Sequence, residues 1–168
     1  MSETCRIQPA NRWHVDDAIG WLGLGNLDEA ARMIERVTEP DAQHPDVLEI
    51  RWEIAGRRKR WQGALEIAEA LVGRWPDRCS GWLHRSYSLH ELQRTLEAWN
   101  KLVPAVERFP REATIPYNLA CYACQLGNLD QAKSWLEKAV SIRGRAMIKD
   151  LALNDNDLLP LHSLITEW

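Results

Sequence analysis

Four alanines, Ala30, Ala64, Ala98 and Ala132, stand at a constant interval of 34 residues with no insertion between them. Around the first and the last, the chain repeats itself. Leu24-Gly25-Asn26-Leu27-Asp28-Glu29-Ala30 returns three periods later as Leu126-Gly127-Asn128-Leu129-Asp130-Gln131-Ala132. Val37, Leu71, Ala105 and Ala139 follow seven residues behind the alanines, and Pro76 and Pro110 share the interval. Self-similarity at a fixed period of this length means one supersecondary unit stacked on copies of itself, so the period sets the fold before any local propensity is weighed.

Within each unit, two apolar stretches of helical period flank a short polar turn, as an antiparallel helix pair requires. In the last unit Leu119, Ala123 and Leu126 mark the first helix, and Leu129, Ala132, Leu136, Ala139 and Val140 the second. A small residue is needed where two helix axes approach, which gives the alanines their place. Gly25 and Gly127 suit the left-handed conformation that ends a helix. Asn26 with Glu29, and Asn128 with Gln131, have capping-box spacing for the helix that follows. Pro76 and Pro110 stop the second helices.

With these residues the chain resembles the tetratricopeptide-repeat family, whose 34-residue unit is a helix–turn–helix. The resemblance implies an all-α fold, a right-handed α-solenoid of four antiparallel helix hairpins. The units would be 11–44, 45–78, 79–112 and 113–146, after a flexible N-terminus at 1–10 and before a C-terminal capping helical segment at 147–168. A stack of hairpins exposes its last apolar face, so a cap is physically required. In the tail, Met147, Ile148, Leu151 and Leu153 suit one helix, residues 154–157 interrupt it, and a second amphipathic piece contains Pro160. A ligand-like tail lying in the groove is the other reading of that segment.

Several positions depart from the pattern. Lys59 and Gln93 replace the turn glycine, so those turns are expected to be strained or built differently. Trp52 sits where a small residue is usual, which predicts a splayed hairpin or a ring turned toward the groove. Pro104 lies inside a second helix and predicts a kink, whereas Pro116 falls near a helix start, where it is tolerated.

In the family the first helices line a concave face. The resemblance therefore places a partner-binding surface at Val15, Ile19, Glu49, Glu53, Leu83, His84, Tyr87, His90, Tyr117, Asn118, Cys121 and Gln125. Tyr87 and Tyr117 would anchor a peptide, and Asn118 and Gln125 would bond its backbone; the alternative is that the tyrosines pack between neighbouring helices. Some family members grip an acidic carboxyl terminus with basic side chains. Here Val15, Ile19, Glu49 and Glu53 occupy the relevant places, so that clamp is not carried over.

The remaining features narrow the function. Hydrophobic residues make up 45% and charged residues 27%, with a net charge of −3 and no basic face, which argues against a nucleic-acid partner. No apolar run is long enough for a membrane span, and the start lacks a secretory h-region. A cytoplasmic location with free thiols is the expectation, and 168 residues suit one domain. Nine Trp against one Phe point first to helix packing. Cys121-x-x-Cys124 near His84 and His90 raises a metal or redox site, but the repeat register explains both cysteines as small packing residues. Asp16-Asp17 and the basic run Arg57-Arg58-Lys59-Arg60 read as solvated turns. The serines at 80, 86 and 88 lack a nucleophile elbow, and there is no phosphate-cradling glycine loop. The expectation is a protein or peptide partner, no cofactor and no catalysis. The rivals are a homo-oligomer joined through Trp13, Trp168 or the terminal helices, a secretion-type chaperone, and the Cys/His metal or redox protein.

Overall fold

A computed structural model describes residues 6–168, all helix and turn, with no strand among them. Cys5 and the first part of the expected N-terminal lead-in lie outside the described residues. The rest of that lead-in is tied down. Ile7 is buried, α1 (Pro9–Gly23) already begins at Pro9, and the Gln8 N–H donates to Asp41 Oδ2 at 2.9 Å.

The elements follow in hairpin order: α1 with α2 (Leu27–Glu35), α3 (Pro45–Arg57) with α4 (Trp61–Arg74), α5 (Cys79–Glu91) with α6 (Thr95–Leu102) and α7 (Ala105–Arg108), and α8 (Thr114–Gln125) with α9 (Leu129–Arg143). The tail adds α10 (Arg145–Leu153), a 3-10 segment Asn156–Leu161 and α11 (His162–Thr166). Contacts gather into two compact units, Met1–His84 and Arg85–Trp168, with α5 contributing to both. Length argued for one domain. In a repeat fold each hairpin touches mainly its neighbours, so contacts do not collect around one centre.

The four alanines at the repeat interval are fully buried, as are Leu71, Ala105 and Ala139. Leu119, Ala123 and Leu136 are buried with them, but Leu126 and Leu129, beside the polar turn, are exposed. Helices also approach closely at Gly81, where an added Cβ would lie 3.1 Å from Leu71 Cβ and 3.2 Å from the Val72 nitrogen.

The hairpin turns are the same object four times. Gly25, Lys59, Gln93 and Gly127 all adopt positive φ, at 76°, 55°, 61° and 79°. In each, two crossing N–H···O=C bonds close the helix end, for example Gly25 to Leu22 with Asn26 to Trp21, and Lys59 to Gly56 with Arg60 to Ala55. This is the Schellman arrangement. The turns at Lys59 and Gln93 are therefore not built differently. They hold a side chain in a conformation that disfavours one, at about 1 kcal/mol each. Asn26 Oδ1 accepts from the Glu29 N–H and Asn128 Oδ1 from the Gln131 N–H, both at 3.2 Å, completing the caps.

Pro104 does more than kink its helix. It separates α6 from α7, and Ala105 stays fully buried across the break. Pro116 is the third residue of α8, where no helical N–H is lost. In the first unit Asn11 is buried in a polar knot. Its Nδ2 donates to Asp41 Oδ2 (2.9 Å) and the Thr38 carbonyl (3.2 Å), and its Oδ1 accepts from the Thr38 N–H (3.1 Å). The basic run is not simply solvated. Arg57 donates to the Leu22 carbonyl at 2.7 Å, and Arg58 donates to the Leu27 carbonyl at 3.1 Å and pairs with Asp28, fastening this turn to the preceding hairpin.

The tail packs rather than trails. Ile148, Ala152, Leu158, Leu161 and Ile165 are buried, and the 3-10 segment rests on α8, α9 and α10. Lys149 Nζ donates to the carbonyls of Thr166 (2.8 Å) and Trp168 (2.9 Å), and the Arg145 guanidinium lies 5.9 Å from the Trp168 ring. Of the two tryptophans named for self-association, Trp13 is exposed and Trp168 half-buried.

Candidate functional site

The expected partner surface resolves into two clefts, one in each unit. In the first unit α1, α3 and the start of α5 enclose roughly 630 Å³. Val15 and Ile50 are buried in its floor, and Ile19, 53% exposed, stands at its side. Val15 thus supports the cleft and offers little contact area. Leu83 is half-buried and does not line it. The large ring of Trp52 turns into the cleft and stacks on His84, with centroids 3.7 Å apart and planes at 11°. Of the two outcomes expected of a bulky residue at that position, the ring turned toward the groove is the one found. Burial holds the His84 imidazole down to about 4, only partly opposed by Glu49, so it stacks uncharged at neutral pH.

The carboxylates here have cationic or hydroxyl partners. Glu49 Oε1 accepts from Ser80 Oγ (2.5 Å) and Arg78 (3.1 Å), and Arg78 also reaches Asp46 (2.7 Å). Glu53 pairs with Arg57 (2.5 Å), and Arg12 at the cleft edge pairs with Asp16 outside it (3.1 Å). These pairs fix the acidic side chains in position and moderate the local charge.

In the second unit the cleft holds roughly 510 Å³ between α5, α8, α10 and residues 154–157. Tyr87 is 40% exposed, and Tyr117 lines the cleft with it. The tail loop is laid against them. The Tyr117 hydroxyl donates to Asp155 Oδ2 at 2.8 Å, and Cys121 Sγ lies 3.6 Å from the same oxygen. His90 Nε2 stands 2.9 Å from Asp157 Oδ2 while its Nδ1 is 3.0 Å from Thr95 Oγ1, and Gln125 Nε2 donates to the Asp157 carbonyl at 3.2 Å. His90, Tyr117, Cys121 and Gln125 therefore meet one another through the tail. Asn118 is half-buried on α8. Burial and then the nearby carboxylates, Glu91 first among them, push the Tyr87 hydroxyl up to about 12. Tyr117 is raised as well, by burial and then by Cys121 and Asp155.

Cys121 and Cys124 are buried free thiols. Burial first, with Asp155 and Asp157 adding to it, raises both. Metal ligation and redox chemistry need the thiolate, so the environment opposes both. Among the described residues no group of three or more His, Cys, Asp or Glu is placed to hold a metal.

Sequence reasoning did not find Asp150, Asp155 and Asp157 as part of a site. The only local signal was the Asp-x-Asp spacing in the interruption of the tail.

Residues 117–147 match the family model described as Tetratricopeptide repeat. Among solved structures, the chain is similar to TTC0263, a thermophilic TPR protein of Thermus thermophilus. The two are 20% identical, covering 94% of this chain and 90% of that one, with a TM-score of 0.73. It is also similar to MamA, from residue 41 to its end, of Desulfovibrio magneticus RS-1, with 14% identity, 96% and 94% coverage and a TM-score of 0.73. MamA of MSR-1 shows 19% identity, 95% and 97% coverage and a TM-score of 0.66. No curated protein matches the sequence. At these identities the solved structures show a shared fold.

Proposed function

We propose that this chain, a tetratricopeptide-repeat protein, is a non-catalytic recognition module, an adaptor, scaffold or assembly factor. Its first-helix faces bind a peptide segment or a face of another protein. The fold is one that serves protein–protein interaction, and no described helix is long and apolar enough to cross a membrane. The observation that carries the reading is the cleft of the first unit. Exposed Ile19 stands beside the Trp52–His84 stack, and Glu49 and Glu53 are already held by Ser80, Arg78 and Arg57. A surface fixed before binding spares one partner the entropy of ordering.

Contact residues under this reading are Ile19, Glu49, Glu53 and His84 in the first unit. In the second they are Tyr87, Tyr117, Asn118 and Gln125. The repeat partition 11–44, 45–78, 79–112 and 113–146 describes how the surface is assembled. The module works in the cytoplasm with reduced cysteines, and nucleic acid is not its ligand.

Immobilised full-length protein and a host lysate, read by mass spectrometry, would identify the partner. Ile19→Asp with Glu53→Lys should then abolish its capture while the far-ultraviolet circular dichroism stays helical. Capture that survives the double substitution would rule out the first-unit cleft as the surface. Exposed Trp13 favours self-association as the second reading, and a strict monomer by light scattering, unchanged in Trp13→Ser, would remove it.

A further inference from the structure

The second-unit cleft combines an aromatic and aliphatic wall with carboxylates that no lysine or arginine in its lining offsets. Tyr87 and Leu151, 40% and 47% exposed, offer apolar area to solvent. Glu91 comes from α5, Asp150 from α10, and Asp155 and Asp157 from the tail loop. The groups that orient the last two leave much of their charge in place. Asp155 accepts from the Tyr117 hydroxyl and the Asp157 N–H, and Asp157 meets the His90 imidazole. The carboxylates line the cleft from three different elements, and among the described residues they do not converge on a point suited to a metal ion. A complementary cation must therefore be extended and carry several charges, with apolar stems between them. Lysine and arginine side chains have that form: their methylenes lie along apolar surface while the charged head stays in a polar setting, and tyrosine faces attract such heads.

We propose that this cleft receives a basic segment of a partner protein, with at least two lysine or arginine side chains spanning the Tyr87–Leu151 wall and the carboxylates of α5, α10 and the tail loop. The proposal rests on the recognition reading and makes it specific in charge. It also gives the tail a second role, because the segment that covers the stack supplies three of the cleft's four carboxylates, Asp150, Asp155 and Asp157.

Isothermal titration of the full-length protein with an eight-residue oligolysine at physiological ionic strength tests it. The wild type should bind the oligolysine and ignore octaglutamate. Glu91→Gln with Asp150→Asn should weaken binding at least about tenfold, and Tyr87→Ala, which changes no charge, about threefold or more. Asp130→Asn with Glu137→Gln, which removes the same charge from α9, should change it less than about twofold. Three outcomes overturn the proposal. They are no binding by the wild type, equal losses in the cleft and α9 variants, or binding of spermine as tight as the peptide, which would make the ligand a small polyamine. If Glu91→Gln with Asp150→Asn lowers helicity, the Tyr87→Ala result decides. Because the probe is synthetic and the first-unit cleft is left intact, failure here is separate from failure of partner capture.

Discussion

The two clefts are made from the same kind of surface, the faces of first helices, yet their electrostatics differ. In the first-unit cleft the lining carboxylates are met by arginines: Asp46 and Glu49 by Arg78, with Ser80 also on Glu49, and Glu53 by Arg57. In the second unit Asp155 and Asp157 are held by a tyrosine hydroxyl, a backbone amide and an imidazole, and among the described residues no lysine or arginine lines the cleft. The difference comes from what borders the helices. Arg57 and Arg78 lie at helix ends within the first unit, whereas the second unit is bordered by the chain's own tail. A repeat fold thus fixes where the surface is and leaves its charge to residues outside the repeat pattern.

The hardest test of this contrast is whether the tail belongs to the fold of the second unit. Leu161→Ala should destabilise the protein by about 2–5 kcal/mol, the usual range for a fully buried leucine, as measured by urea denaturation. A change below about 1 kcal/mol would mean that the tail is only laid on.

The first unit has its own signature in acid. His84 is held at about 4 in the folded chain against 6.5 when unfolded, so the unfolded state binds its proton first. Stability from this group is complete above pH 6.5 and is lost as the pH falls toward 4. The loss is at most about 3 kcal/mol over that window. His84→Gln should remove this part of the slope, seen by comparing denaturation midpoints at pH 7 and pH 4.5. An unchanged slope would mean that the ring is not buried against Trp52 as described.

Tyr117→Phe removes one charge-assisted hydrogen bond to Asp155 and should cost about 1–2 kcal/mol. It should also speed amide exchange across residues 154–157 while leaving the first unit's exchange alone. Equal effects on both units would dissolve the contrast.

The smallest effects should be equal on the two sides. Lys59→Gly and Gln93→Gly each relieve a left-handed residue in the same turn and should stabilise by up to about 1 kcal/mol. Destabilisation by either would mean that its side chain contributes more than the backbone loses.

Much of this architecture was legible because it is local or periodic. The buried alanines, the left-handed turns, the asparagine caps and the break at Pro104 follow from spacing and from the stereochemistry of single residues. The candidate site was legible only as a set of positions on first helices. Its chemistry depends on contacts across 30 residues or more: Asn11 with Asp41, Arg57 with the Leu22 carbonyl, Tyr117 with Asp155, His90 with Asp157. No period announces such pairs. Trp52 shows the same limit, because its bulk was evident from sequence while its partner, His84, lies on the next first helix.

The four matching turns also bear on how such a chain tolerates change. Two of them keep their crossing bonds without glycine, while every alanine at the repeat interval is sealed from solvent on all sides. Drift over generations can erode the glycine column and leave each hairpin closed, but a larger residue at any of those alanines would force two helices apart.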